Sequence, residues 1–208
     1  MINLSGIKNI IFDLGGVILE LDVNRTIEAL TELGFPGLLN LENILTDYPF
    51  FLEFETGRIN TDQFIDILIS RAGDHTPRDK VIAAWDAMIL GFKPENVELL
   101  LQIRDRYRLF LLSNTNSIHE KTYNNQLYRD HGIPNLSDLF EKVYYSHDLK
   151  MRKPDLEIFK YVLEDSRLVA GETLYIDDTE EHVKSALQLG MHAYHLKIPE
   201  KITQLLCW

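Results

Sequence analysis

The sequence predicts a doubly wound parallel α/β sheet interrupted by one all-helical insert. Three observations lead there: five short β-rich apolar runs along the chain, helical patterns between most of them, and one interval, from Val17 to about Phe92, that holds helical patterns and no convincing strand. A length of 208 residues exceeds one average domain and falls short of two full ones, which suits a main domain carrying a smaller inserted one. The expected division is residues 1–17 and 93–208 for the α/β unit and 18–92 for the helical insert.

The first run, Ile7–Phe12, ends in Asp13-Leu14-Gly15-Gly16-Val17, so it reads as a buried strand that delivers Asp13 onto a tight loop. Inside the insert, Asp22 is placed as an N-cap, with Ile27, Leu30 and Leu33 on one face and Gly34 as the stop. Thr61 opens a second helix carrying Phe64, Ile65 and Leu68, closed by Gly73. Thr76-Pro77-Arg78-Asp79 is close to a capping box with proline at the first helical position, ahead of Val81, Ile82 and Trp85. Pro94 restarts the α/β pattern with Val97, Leu100 and Leu101. The remaining strands are expected at Tyr107–Leu112, Val143–Tyr145, Thr173–Ile176 and His192–Leu196. Most are apolar on both faces, as parallel strands covered on each side should be.

There are 21 basic against 32 acidic residues, a net charge of -11, which argues against nucleic acid or an anionic membrane as the main partner. A small anionic ligand needs only a few local cations and is not excluded. Cys207 is the single cysteine, so no internal disulfide forms and a reducing compartment is expected. The opening Met1-Ile2-Asn3-Leu4-Ser5 lacks the features of a signal peptide, and no apolar run approaches a membrane span; a cytoplasmic protein is the expectation.

Four segments carry polar groups where open α/β sheets bind ligands, at strand ends or the helix that follows. Asp13 is the first, although an aspartate before glycines is also ordinary turn chemistry. The run Ser113-Asn114-Thr115-Asn116 supplies a hydroxyl and successive amides that can cradle an anion, or simply cap a helix. In Lys150-Met151-Arg152-Lys153-Pro154-Asp155, proline suits the first turn of a helix and holds Lys153 at the loop edge, where it either offsets charge or forms a solvated basic turn. Asp177-Asp178 places two carboxylates side by side, which repel unless a cation is present. Hard oxygen ligands suit magnesium; the other reading is helix capping, with Glu180 and Glu181 favouring the dipole.

Taken in order, Phe12-Asp13-Leu14-Gly15-Gly16-Val17, Ser113-Asn114-Thr115, Lys153-Pro154 and Asp177-Asp178 give the chain a resemblance to the haloacid-dehalogenase-like hydrolases, which are mostly phosphatases. The resemblance covers nearly the whole chain, and the insert is similar to the helical cap of that superfamily. The Gly15-Gly16 opening, the Ser113–Asn116 run and Met151-Arg152-Lys153-Pro154 look closest to a branch that includes sugar-phosphate phosphatases. It implies a Rossmann-like core, a small phosphorylated metabolite as substrate and magnesium as cofactor. It also implies roles: Asp13 as a nucleophile forming an aspartyl-phosphate, and Ser113 with the Asn114 amide and Gly16 holding phosphate oxygens. Lys153 would pair with Asp13 and the phosphate. Magnesium would be held by Asp13, the Gly15 carbonyl and Asp178, with Asp177 positioning Lys153 or a water of the magnesium shell.

One position departs from the pattern. Most phosphatases of that superfamily carry an acid/base aspartate two residues after the nucleophile, and here that residue is Gly15. A general acid is worth roughly 10²–10⁴ in rate, so its loss slows a phosphatase, whose total acceleration can reach ~10²¹, without abolishing it. Acyl or anomeric phosphates, with good leaving groups, fit that constraint. Glu20, Asp22 and His119 are positioned as substitutes. Two other readings remain open: a dehalogenase, which also lacks that aspartate but leaves Asp177-Asp178 unexplained, and a non-catalytic phosphate-binding protein. Arg25, Glu53, Glu55, Arg58 and Trp85 are candidates to face a substrate from the insert, each with surface or core as its default role.

Overall fold

The computed structural model describes residues 2–35, 47–72, 75–197 and 199–206. Gly73 and Cys207 lie outside them. Five parallel strands form the central sheet in the order β5-β4-β1-β6-β7: β1 (Asn9–Phe12), β4 (Arg108–Ser113), β5 (Lys142–Tyr145), β6 (Thr173–Asp177) and β7 (His192–His195). Each coincides with an expected run to within a residue or two. The order puts β1 at the centre, and the chain moves to one side for β4 and β5 and to the other for β6 and β7. That reversal leaves a crevice at the carboxyl ends of β1, β4 and β6.

Strand alternation explains the two-layered core. Ile10 and Phe12 join Leu109, Leu111, Leu174 and Ile176 in the cluster on one face of the sheet. Ile11, Phe110, Leu112 and Tyr175 pack on the other, with Ile158, Phe159 and Val162 of a helix. Helices cover both faces: α5 (Pro94–Ile103), α6 (Ser117–His131), α7 (Ser146–Leu149), α8 (Leu156–Asp165), α9 (Glu180–Gln188) and α10 (Ile202–Leu205). No helix among the described residues is long and apolar enough to cross a membrane.

Between β1 and α5 lie α1 (Val23–Glu32), α2 (Pro49–Glu55), α3 (Thr61–Ala72) and α4 (Arg78–Asp86). The Asp22 carboxylate caps α1 by accepting from the Asn24 amide at 3.2 Å. These helices share a core of their own in which aromatic rings dominate: Phe54 stacks on Phe64 at 4.0 Å between centroids, and Phe51 on Trp85 at 5.3 Å. Ile118 of α6 also enters that cluster.

Three local expectations need correction. The interval from Val17 to Phe92 does contain strands: β2 (Leu19–Leu21) pairs antiparallel with β3 (Ile89–Phe92) and ties the base of the helical segment together. Gly91 within β3 and the exposed Leu21 and Leu90 blur the strand pattern. Pro77 is the residue before α4 rather than its first, with no side-chain cap bond. Pro154 precedes α8, which starts at Leu156 with Asp155 as its N-cap, and Asn114 holds the Lys153 backbone ahead of it.

Candidate active site

Sheet register brings the carboxylates together. Phe12 pairs with Ile176, so the next residues, Asp13 and Asp177, leave neighbouring strands side by side, and the Asp13 amide bonds the Ile176 carbonyl at 2.9 Å. Lys153 Nζ lies between them, donating to Asp13 Oδ1 at 2.7 Å and Asp177 Oδ2 at 2.8 Å. The lysine side chain is 1% exposed, so its charge is held by these two partners and not by water. Burial alone would lower the Lys153 pKa; the two aspartates outweigh it and the net shift is upward.

Asp177 is buried and fully engaged. Besides Lys153, its carboxylate accepts from the Tyr175 hydroxyl, from the Thr179 amide at 2.8 Å and from His182 Nδ1 at 3.0 Å. Burial pushes its pKa up, but Lys153 and His182 more than reverse this, so Asp177 stays ionised. Asp13 differs: burial dominates and, with Asp177 and Asp178 adding to it against Lys153, lifts the carboxyl to about 7. Asp178 is raised as well, first by burial and then by Asp177. One carboxylate oxygen from each of Asp13, Asp177 and Asp178 falls within 4.8 Å of the others. Three carboxylates around one lysine leave an excess of negative charge, and all the donors are hard oxygens, so the set fits a divalent cation such as magnesium.

Gly16 fits against this cluster. It adopts φ +72, and a Cβ there would fall 2.1 Å from Asp178 Oδ2, so only glycine lets the loop run this close to the carboxylate. At Gly15 the obstacle is a side chain, since a Cβ would meet Leu21 Cδ1 at 2.5 Å.

Ser113 ends β4 and is buried. Asn114 takes a role the sequence did not reveal: its side chain accepts the Lys153 amide at 2.9 Å and donates to the Lys153 carbonyl at 3.0 Å. Asn116 caps α6 through the amides of Ile118 and His119. His119 is buried, with Nε2 against the Trp85 carbonyl at 3.1 Å and Nδ1 against the Asn116 amide group at 3.1 Å. A carbonyl only accepts, so Nε2 carries the proton and Nδ1 receives one; burial lowers the pKa to about 4 and the ring is neutral. With both nitrogens engaged, His119 joins the helical segment to the sheet and is not placed to relay protons. Glu20 pairs with Lys93, and Asp22 caps α1.

A cavity of about 180 Å³ opens against Leu14 and Gly15, the two residues that follow Asp13. Leu14, Gly15, Ser113 and Asn114 contribute from the sheet side, and Leu21, Glu55, Trp85 and Met88 from the other. Of the insert residues expected to face a substrate, Glu55 and Trp85 line this cavity. Arg25 instead pairs with Asp22 at 3.5 Å. A larger hollow of about 570 Å³ near Lys8, Arg104 and Arg108 lies by the amino ends of β1 and β4, away from the carboxylates.

A family model described as haloacid dehalogenase-like hydrolase matches residues 7–190. The chain belongs to that family. It is therefore a hydrolase built on the Rossmann-like α/β core that the sequence resemblance implied. It is 32% identical to a D-ribitol-5-phosphate phosphatase of Bacteroides thetaiotaomicron, over 90% of this chain and 91% of that protein. It is 28% identical to a sesquiterpene phosphatase of Aspergillus oryzae, over 91% and 89% respectively. Among solved structures, a HAD family enzyme from Bacteroides thetaiotaomicron in complex with magnesium and inorganic phosphate superposes with a TM-score of 0.88 at 36% identity, covering 96% of this chain and 99% of that one. An L-2-haloacid dehalogenase, at 20% identity and a TM-score of 0.61 over 91% of this chain and 86% of that one, shares the fold.

Proposed function

We propose that this hydrolase is a magnesium-dependent phosphatase of small phosphate monoesters, probed best with sugar and polyol phosphates, that works through an aspartyl-phosphate on Asp13. The observation that carries the reading is the Asp13–Lys153–Asp177 chain of contacts with Asp178 beside it. Lys153 screens Asp13 from Asp177, so the nucleophile can approach an anionic phosphoryl group. Asp13 Oδ attacks phosphorus, the bond to the ester oxygen breaks with its electron pair passing to that oxygen, which takes its proton from water, and a second water later releases inorganic phosphate and restores Asp13. Asp177, with all its contacts made within the protein, orients Lys153. Asp13, Asp178 and the Gly15 carbonyl would hold magnesium, which supplies charge neutralisation to the phosphate oxygens when bound. Ser113 and the Asn114 and Gly16 backbones would receive the remaining oxygens.

Residues 18–92 act as a cap over the carboxyl ends of the strands in this reading, excluding water and selecting the leaving group. Halide displacement needs no cation and gives the crowding of three carboxylates no purpose, which favours the phosphatase. Phosphate release from p-nitrophenyl phosphate and from a panel of sugar and polyol phosphates, with magnesium and with chelator, tests the reading. Magnesium-dependent release supports it; binding of phosphate and magnesium without any turnover overturns it in favour of a non-catalytic protein.

A further inference from the structure

Glu55, the last residue of α2, stands where the helical segment meets the sheet. Its carbonyl accepts the hydroxyl of the fully buried Ser146 at 2.7 Å, and Ser146 Oγ also accepts the Thr115 amide at 2.9 Å. Two residues on, Gly57 adopts φ +60, and a Cβ there would fall 2.1 Å from the His147 carbonyl oxygen, so the two backbones are in close contact. The Glu55 side chain accepts Arg152 Nε at Oε1, 2.7 Å away, and Arg152 directly precedes Lys153. The carboxylate is thus fixed through its own backbone, through the turn beyond it and through a cation, before any ligand arrives.

The same residue lines the cavity that Leu14 and Gly15 border. Of the other polar side chains on that lining, Asn114 is engaged on the Lys153 backbone, Asn116 on α6 and His119 at both ring nitrogens, while the Tyr123 hydroxyl is buried without a hydrogen bond. Leu19, Leu21, Trp85, Met88 and Ile89 make much of the remaining wall apolar. A carboxylate has acceptor sites for several donors, and Arg152 is bonded to one oxygen. Glu55 therefore keeps acceptor capacity at a prearranged point in a mostly apolar wall, the arrangement by which a few polar groups confer specificity.

We propose that Glu55 is a specificity-determining residue of this site, accepting hydrogen bonds from hydroxyl groups of a polyhydroxylated leaving group whose phosphate lies at the Asp13 end. The inference deepens the phosphatase reading and rests on it. An acceptor that cannot donate selects hydroxyl donors and disfavours a second anionic group on the substrate.

The test compares kcat/KM for the best polyol or sugar phosphate of a panel with that for p-nitrophenyl phosphate, which has no hydroxyl groups, in wild type, Glu55→Gln and Glu55→Ala. The expected result is a fall of roughly 10–100-fold in the ratio of the two values, carried by KM of the hydroxylated substrate. Losses equal on both substrates assign Glu55 to the seam alone and overturn the proposal. So does a wild type that hydrolyses p-nitrophenyl phosphate but no hydroxylated ester. Failure on every substrate, p-nitrophenyl phosphate included, removes the phosphatase reading and this inference with it.

Discussion

Asn114 and Lys153 hold each other by a reciprocal pair of hydrogen bonds: the Lys153 amide donates to Asn114 Oδ1 at 2.9 Å, and Asn114 Nδ2 donates to the Lys153 carbonyl at 3.0 Å. The pair links the loop after β4 to the loop before α8, and it fixes the backbone from which the buried ammonium reaches Asp13 and Asp177. Removing it leaves the ammonium and its partners in place but loosens their support. Asn114→Ala is therefore expected to lower kcat by ~10–100-fold with a smaller change in KM, since small misplacements at a reacting centre cost about that much. Steady-state kinetics on p-nitrophenyl phosphate checks the split.

Gly16 makes a sharper prediction about the cation. With φ +72 and the Cβ position 2.1 Å from Asp178 Oδ2, Gly16→Ala strains the backbone and displaces that carboxylate together. The strain is of order 1–3 kcal/mol. Denaturant unfolding should show that loss of stability, and the magnesium concentration for half-maximal activity should rise by an order of magnitude or more.

Asp86 and His119 give a pH signature away from the carboxylate cluster. Asp86 ends α4, accepts the Thr122 hydroxyl at 2.7 Å through Oδ2, and leaves Oδ1 buried without a hydrogen bond, 3.8 Å from His119 Nε2. Burial lifts its pKa from 3.8 to about 6. The folded protein then keeps the proton that the unfolded chain has shed, so this group's contribution to stability falls as pH rises through that window. His119, lowered from 6.5 to about 4, contributes in the opposite sense, with stability rising over nearly the same range. Asp86→Asn removes the first effect and keeps an acceptor for Thr122. Its stability relative to wild type should grow from pH 4 to pH 6 and level off above, as read by urea unfolding at each pH.

Strand ends carried most of what the sequence could say about the site. Asp13, Ser113 and Asp177 each finish or follow a short apolar run, and Lys153 precedes a proline at a loop edge, so a local pattern marks each of them. Their mutual geometry is not local: Lys153 lies 140 residues from Asp13 and 24 from Asp177. No spacing rule announces that the Asn114 side chain would turn to the Lys153 backbone, or that Tyr175 and His182 would complete the Asp177 carboxylate. The β2–β3 pair escaped notice because each strand is short and carries an exposed leucine, and β3 has a glycine in the ladder. His119 reads from sequence as a titratable group near a motif; only burial and two engaged nitrogens show it to be a neutral joint.

The central claim is that Asp13 performs the chemistry with a divalent cation beside it. The most direct measurement is phosphate release from p-nitrophenyl phosphate by wild type and by Asp13→Asn, each with magnesium and with chelator. Asparagine preserves the size of the side chain and removes the nucleophilic oxygen, so the account predicts magnesium-dependent turnover in wild type and a loss of at least ~10³-fold in the variant. A folded Asp13→Asn protein that retains appreciable activity, or a wild type indifferent to magnesium, would contradict it.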